Sequence, residues 1–364
     1  MIPDFNVYSG RIAEDLQKRI TADSSIEAGY LFLKRKLLRY KLKKQDWKNY
    51  IDRSRSWISG QYALGILSVG SPETIRVLTR YYDWMLLVNR LGMPVFEVPD
   101  QIIHAEVLLE LYSKHGKKKY SPLIKKAAGF LKTLAQQNNG LIIYWPPEKT
   151  ILVDSLGMVT NFCYRYSQVF QDSELARIAS NQIEYTQANC IDWVSGFPVH
   201  SYAYETGTPE GSSSWGRGIG WYLLGLTSYV KYTHNASEKL WAALSRLMEH
   251  QDDAGFLYND LIYPSHIDTS TTCMAALCIA ECIASGLLDD AYSEVLKNWF
   301  RKSVEALMAS VNEKGEVLNC SGECQSAGAY SESYGNFFAQ GYTLMILSMI
   351  NRHPELRESF TKTL

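Results

Sequence analysis

An all-α toroid of six helical hairpins, an (α/α)6 barrel filling 1–364 as one domain, is the fold this chain predicts. Three observations predict it. Apolar residues recur at three- and four-residue spacing through most of the chain, the period of a helix face. Strand-like alternation is scarce, and no Pro/Gly/Ser linker divides the sequence. The helical stretches also alternate in character, one kind apolar on all sides and the other charged along one face.

The periodic stretches run 10–22, 26–41, 52–69, 72–91, 100–115, 120–138, 154–171, 172–190, 215–232, 236–250, 268–286, 289–311 and 334–351. The segment 268–286 is small and apolar all round, as a helix enclosed on every face should be, whereas 236–250 and 289–311 carry charges on one face and belong outside. Lys117, Lys118 and Lys119 follow Gly116, which marks a helix C-terminus in solvent. Short strands are expected near Leu141–Trp145 and Gly255–Tyr258. An open helical solenoid is the competing architecture, but the chain shows no repeat of fixed period.

The formal net charge of −1 gives no argument for nucleic acid or an anionic membrane as partner. Met1-Ile2-Pro3-Asp4-Phe5 is not a basic stretch leading into an apolar one, and no apolar run reaches membrane-spanning length, so a cytoplasmic location is the expectation. Cys273, Cys278 and Cys282 read as small buried hydrophobes. Cys320 and Cys324 lie without a histidine or further cysteine close in sequence, so no metal is expected. Nothing in the sequence speaks to oligomeric state.

The segment Trp215-Gly216-Arg217-Gly218-Ile219-Gly220-Trp221 opens a helix pattern. Indole faces suit the C–H surface of a sugar ring, and a guanidinium forks onto a carboxylate, so an acidic carbohydrate is the first ligand to consider. Asp100, Asp154 and Asp268 each stand just before an inner-type helix, a position where aspartate caps. In a closed toroid the inner N-termini meet at one mouth, where helix dipoles favour anions.

On these motifs the chain resembles the unsaturated rhamnogalacturonyl hydrolases (glycoside hydrolase family 105) and the related unsaturated glucuronyl hydrolases (family 88). The Trp215–Trp221 segment is similar to the family's Trp-Gly-Arg-Gly-Asn-Gly-Trp, and Leu152-Val153-Asp154-Ser155-Leu156-Gly157-Met158 to the segment bearing its catalytic aspartate. Val199-His200 falls where the family has a substrate-contacting histidine. Gly255-Phe256-Leu257-Tyr258 with Asp268-Thr269-Ser270 resembles a further pair of its motifs, and Asp100 matches its first acid more loosely. Ile219 replaces the family asparagine and Leu152 a tryptophan.

The resemblance implies hydrolysis, without metal or cofactor, of an oligosaccharide ending in a 4,5-unsaturated uronic acid. Asp154 would be the acid/base and Asp100 its partner across the cleft. His200 and Arg217 would hold the carboxylate and hydroxyls, Trp215 and Trp221 would stack on sugar, and Asp268 would cap its helix or touch sugar. An inverting glycosidase using Asp100 and Asp154, a sugar epimerase, and a non-catalytic sugar-binding protein stay open as alternatives.

Overall fold

The computed structural model describes residues 4–23, 56–90, 95–144, 149–324 and 338–361. The expected helix 26–41 lies outside these residues, as do Trp145 and the ends 52–55, 91 and 334–337 of three other segments.

The described helices are α1 (Phe5–Asp23), α2 (Trp57–Val69), α3 (Pro72–Arg90), α4 (Ile102–Ser113), α5 (Ser121–Gln137), α6 (Asp154–Phe170) and α7 (Ser173–Asn189). They continue as α8 (Gly216–Thr233), α9 (Ser237–Met248), α10 (Thr269–Ser285), α11 (Ser293–Ala309), α12 (Gln340–Arg352) and α13 (Pro354–Glu358). The even-numbered helices form an inner ring in which α2, α4, α6, α8, α10 and α12 each pack on the next, and α12 returns to α2. Outside it, α3, α5, α7, α9 and α11 each pack on the preceding inner helix, and α1 packs on α12 and α2. The chain is therefore the expected (α/α)6 barrel.

Burial follows the sequence pattern. In α10, 13 of 17 residues are buried, so almost no face reaches solvent. In α11 the buried residues Leu296, Phe300, Ser303, Val304 and Leu307 keep to one stripe, which widens at the C-terminal end with Ala306 and Met308. The ring closes where backbones nearly touch. A Cβ on Gly65 of α2 would stand 2.7 Å from the Cα of Gly341 in α12, and one on Gly341 would stand 2.2 Å from the Gln61 carbonyl oxygen. Only glycine permits that crossing.

Strands β1 (Thr150–Leu152), β2 (Ser201–Ala203) and β3 (Thr208–Glu210) form a small antiparallel sheet in the order β1-β2-β3. Leu152 pairs with Ser201, and Ser201 with Glu210. Among the described residues, neither of the two strands expected from the sequence forms. At Ile142 the side-chain amide of Gln182, on α7, accepts from the backbone N at 2.7 Å and donates to the backbone O at 3.3 Å. Those groups are thus satisfied without a ladder. Of 255–258, only Tyr258 joins an isolated bridge, to Ile267.

Candidate active site

The inner N-termini do converge, and the three aspartates there have different fates. Asp268 is a true cap, accepting the Ser270 N–H at 3.1 Å. Asp154 is instead the first residue of α6 and caps nothing, since Val153 holds the cap position with no side-chain bond. Its carboxylate lies in the first turn, where the helix dipole favours negative charge. Asp100 sits in a 3-10 turn (Pro99–Gln101) ahead of α4 and does not cap that helix either.

The β-sheet brings in His200. Val153 N donates to His200 O at 3.0 Å, and His200 N donates to Ser212 O at 3.1 Å. The histidine is thereby fixed beside the residue that precedes Asp154. Its Nε2 lies 3.3 Å from Asp154 Oδ2, and its Nδ1 lies 3.8 Å from Cys324 Sγ. Burial opposes a charge on His200, but Asp154 and Cys324 outweigh it and raise its pKa to about 9. A proton on His200 is thereby favoured, with Nε2 toward the Asp154 carboxylate and Nδ1 toward the thiol.

Asp100 has a different setting. The Tyr144 hydroxyl donates to its Oδ2 at 3.0 Å, while its buried Oδ1 has no protein partner. Burial pushes its pKa up to about 6; the Tyr144 bond works against this, and the negative charges of Asp154 and Glu323 add to it. The same burial, with the Asp100 charge beside it, raises the Tyr144 phenol well above its usual range.

Arg217 and Asp268 form the opposite wall. The Arg217 guanidinium is 2% exposed. It donates through Nη1 to Ser270 Oγ, Ser321 O and Ser321 Oγ at 3.3, 3.1 and 2.6 Å, and through Nη2 to Gly322 O at 2.5 Å. Asp268 is fully buried. Beyond its cap bond it accepts from the hydroxyls of Ser270, Thr271 and Ser321 and from Ser321 N. The expected open carboxylate clamp at Arg217 and sugar contact at Asp268 are therefore not what these side chains offer here. Both are occupied in tethering the 320–322 loop, because a buried charge must be matched by partners.

The tryptophans are likewise interior. Trp215, 3% exposed, lies between the His200 ring at 4.4 Å and the Arg217 guanidinium at 5.2 Å. Trp221, 1% exposed, packs against Trp57 and Tyr342 at 5.7 and 6.0 Å. A Cβ on Gly157 would stand 2.6 Å from the Trp221 ring. It joins α2, α6, α8 and α12 beneath the mouth, a floor more than a stacking face. Ile219 is also core, at 1% exposed, so the position where the family motif has asparagine faces inward.

Sequence reasoning missed Tyr144 and Cys324 as partners of Asp100 and His200. Tyr144 fell in a stretch read as strand, and Cys324 was considered only as a metal ligand; their contacts exist only after folding. Among the described residues no group of three or more His, Cys, Asp or Glu side chains is placed to hold a metal. No described helix is long and apolar enough to cross a membrane.

A helical toroid with two carboxyls and a histidine at its mouth has the makings of a glycoside hydrolase. The chain belongs to Glycosyl Hydrolase Family 88, whose family model matches residues 39–353. No curated protein matches it. Among solved structures, a possible family 105 member from Klebsiella pneumoniae superposes with a TM-score of 0.74 at 15% identity, covering 97% of this chain and 94% of its own. A possible family 105 member from Salmonella enterica gives 0.70 at 16% identity, covering 82% and 85%. The unsaturated glucuronyl hydrolase of a Bacillus species, described as responsible for glycosaminoglycan degradation, gives 0.70 at 17% identity, covering 82% and 87%.

Proposed function

We propose that this glycoside hydrolase releases a 4,5-unsaturated uronic acid from the non-reducing end of lyase-generated oligosaccharides of the unsaturated rhamnogalacturonyl type. The observation that carries the reading is the pair of mouth carboxyls in contrasting settings. Asp154 faces a histidine whose protonated form is favoured, whereas Asp100 is buried against the Tyr144 hydroxyl and holds its proton to about pH 6. Environments that separate two carboxyls in this way mark acid/base machinery.

Hydration of the enol ether needs a proton at C4 and a water at C5. Asp154 is the acid/base in this reading. Asp100, which holds its proton to about pH 6 and whose charge interacts with that of Asp154, is the source from which Asp154 is supplied. The proton goes to C4, water adds at C5, and the water's proton returns to the carboxylate. The resulting hemiketal opens and expels the aglycone as an alcohol. Protonated His200 supplies the positive charge nearest this chemistry, and Arg217 acts behind it by holding the 320–322 loop. We place the activity in the cytoplasm; seven thiols, none cross-linked, suit a reducing compartment.

The test is loss of the enol-ether ultraviolet absorbance on lyase-digested pectin and glycosaminoglycan fragments. Loss with the wild type and none with Asp154→Asn supports the reading, and the fragment consumed names the aglycone. A folded wild type that bleaches no fragment overturns it.

A further inference from the structure

Asp268 and Arg217 hold Ser321 and Gly322 from both sides. Two residues further on, Cys324 reaches the imidazole of His200, whose other nitrogen meets Asp154. A continuous line of contacts thus runs from the cap of α10 to the carboxylate that opens α6. We infer that Cys324 is a positioning residue for His200, holding the ring so that Nε2 stays on Asp154, and that it makes the mouth sensitive to small thiol-directed electrophiles.

The thiol stands on the side of His200 away from Asp154. An imidazole with one nitrogen occupied presents the other in a defined direction, as orienting partners of histidine generally do. Among the described residues, Asp154 from α6 and Cys324 from the loop are titratable groups that face His200, and the Trp215 ring lies against its face. Of the seven cysteines, the other six are buried and Cys324 alone is partly exposed. A small alkylating agent such as iodoacetamide would therefore react there first. The sulfur displaces iodide from carbon, the thiol proton passes to solvent, and the added group wedges between the loop and His200.

This inference rests on the hydrolase reading for its kinetics, but not for its spectroscopy. With 15N-labelled histidine, the His200 resonances of the wild type should titrate well above the usual histidine range. In Cys324→Ala the titration should move to lower pH, and in Cys324→Ser it should return most of the way. In turnover, Cys324→Ala should lower kcat on the order of tenfold, with KM little changed and the alkaline limb moved down; serine should restore most of the rate. Iodoacetamide should label wild-type Cys324 and inactivate the enzyme, sparing Cys324→Ser. An unchanged His200 titration in a folded Cys324→Ala protein overturns the inference even if no substrate is ever found. If the titration shifts but no fragment is hydrated, the contact stands and the hydrolase reading alone fails.

Discussion

The two walls of the barrel mouth use the same residue type to opposite ends. On one wall, Asp268 accepts bonds from three residues, two of them in its own helix start, and Arg217 answers it across Ser270 and Ser321. On the other, Asp100 has a buried oxygen without a protein partner, and Asp154 meets a histidine instead of capping its helix. A saturated charge holds structure, and an unsaturated one is left to do chemistry. The lesson is that an aspartate ahead of an inner helix is structural when the helix start and a loop both bind it, and chemical when neither does.

Four substitutions would break or sharpen that contrast. Asp154→Asn should lower turnover by about 10³-fold or more, with a loss of stability confined to that of parting His200 from its carboxylate and smaller than that on the opposite wall. A loss of melting temperature matching that seen on the opposite wall would erase the distinction. Asp268→Ala should do the reverse, costing about 3–5 kcal/mol of stability because it leaves the buried donors of Ser270, Thr271 and Ser321 without their acceptor. Denaturant unfolding reads this directly, and a neutral result would show that the wall is not the frame it looks to be.

Asp100→Asn should stabilise the protein at neutral pH by about 2 kcal/mol, allowing for solvent screening. The sign follows from the raised pKa of about 6. Between the ordinary carboxyl range and about pH 6 the folded chain binds the proton more tightly than the unfolded chain does, so stability falls as pH rises through that window. The asparagine variant lacks that fall, and melting curves at pH 4 and pH 7 compare the two slopes. His200, raised to about 9, adds stability that is full below its ordinary value and fades as pH climbs through 9. The smallest effect is that of Arg217→Lys, which loses the bond to Gly322 and should cost about 2 kcal/mol or less. Its kinetic signature is a lowered kcat from a loosened loop. A rise in KM alone would restore the direct clamp.

Much of this was legible before folding. The alternation of enclosed and one-faced helices is written in residues such as Thr269–Ala280 against Leu296, Phe300 and Val304, because helix burial is a property of local period. Asp154, Asp100 and His200 were nameable from their motifs, and the structure gathers them at one mouth. The strands were misplaced because Gln182 is 40 residues from Ile142 in sequence, and nothing local announces that its amide will take the backbone bonds.

The sequence by itself determined most of the described helices, their order, and the inner place of those that follow Asp100, Asp154 and Asp268. Tertiary structure alone decided which charges are spent and which are kept. Arg217 and Trp221 look like ligand-binding residues in a one-dimensional reading, yet one is consumed by a loop about a hundred positions away and the other by the barrel floor. The physical reason is that a side chain's chemistry depends on whether its polar atoms and its water-exposed area find partners, and those partners come from helices that meet only when the ring closes.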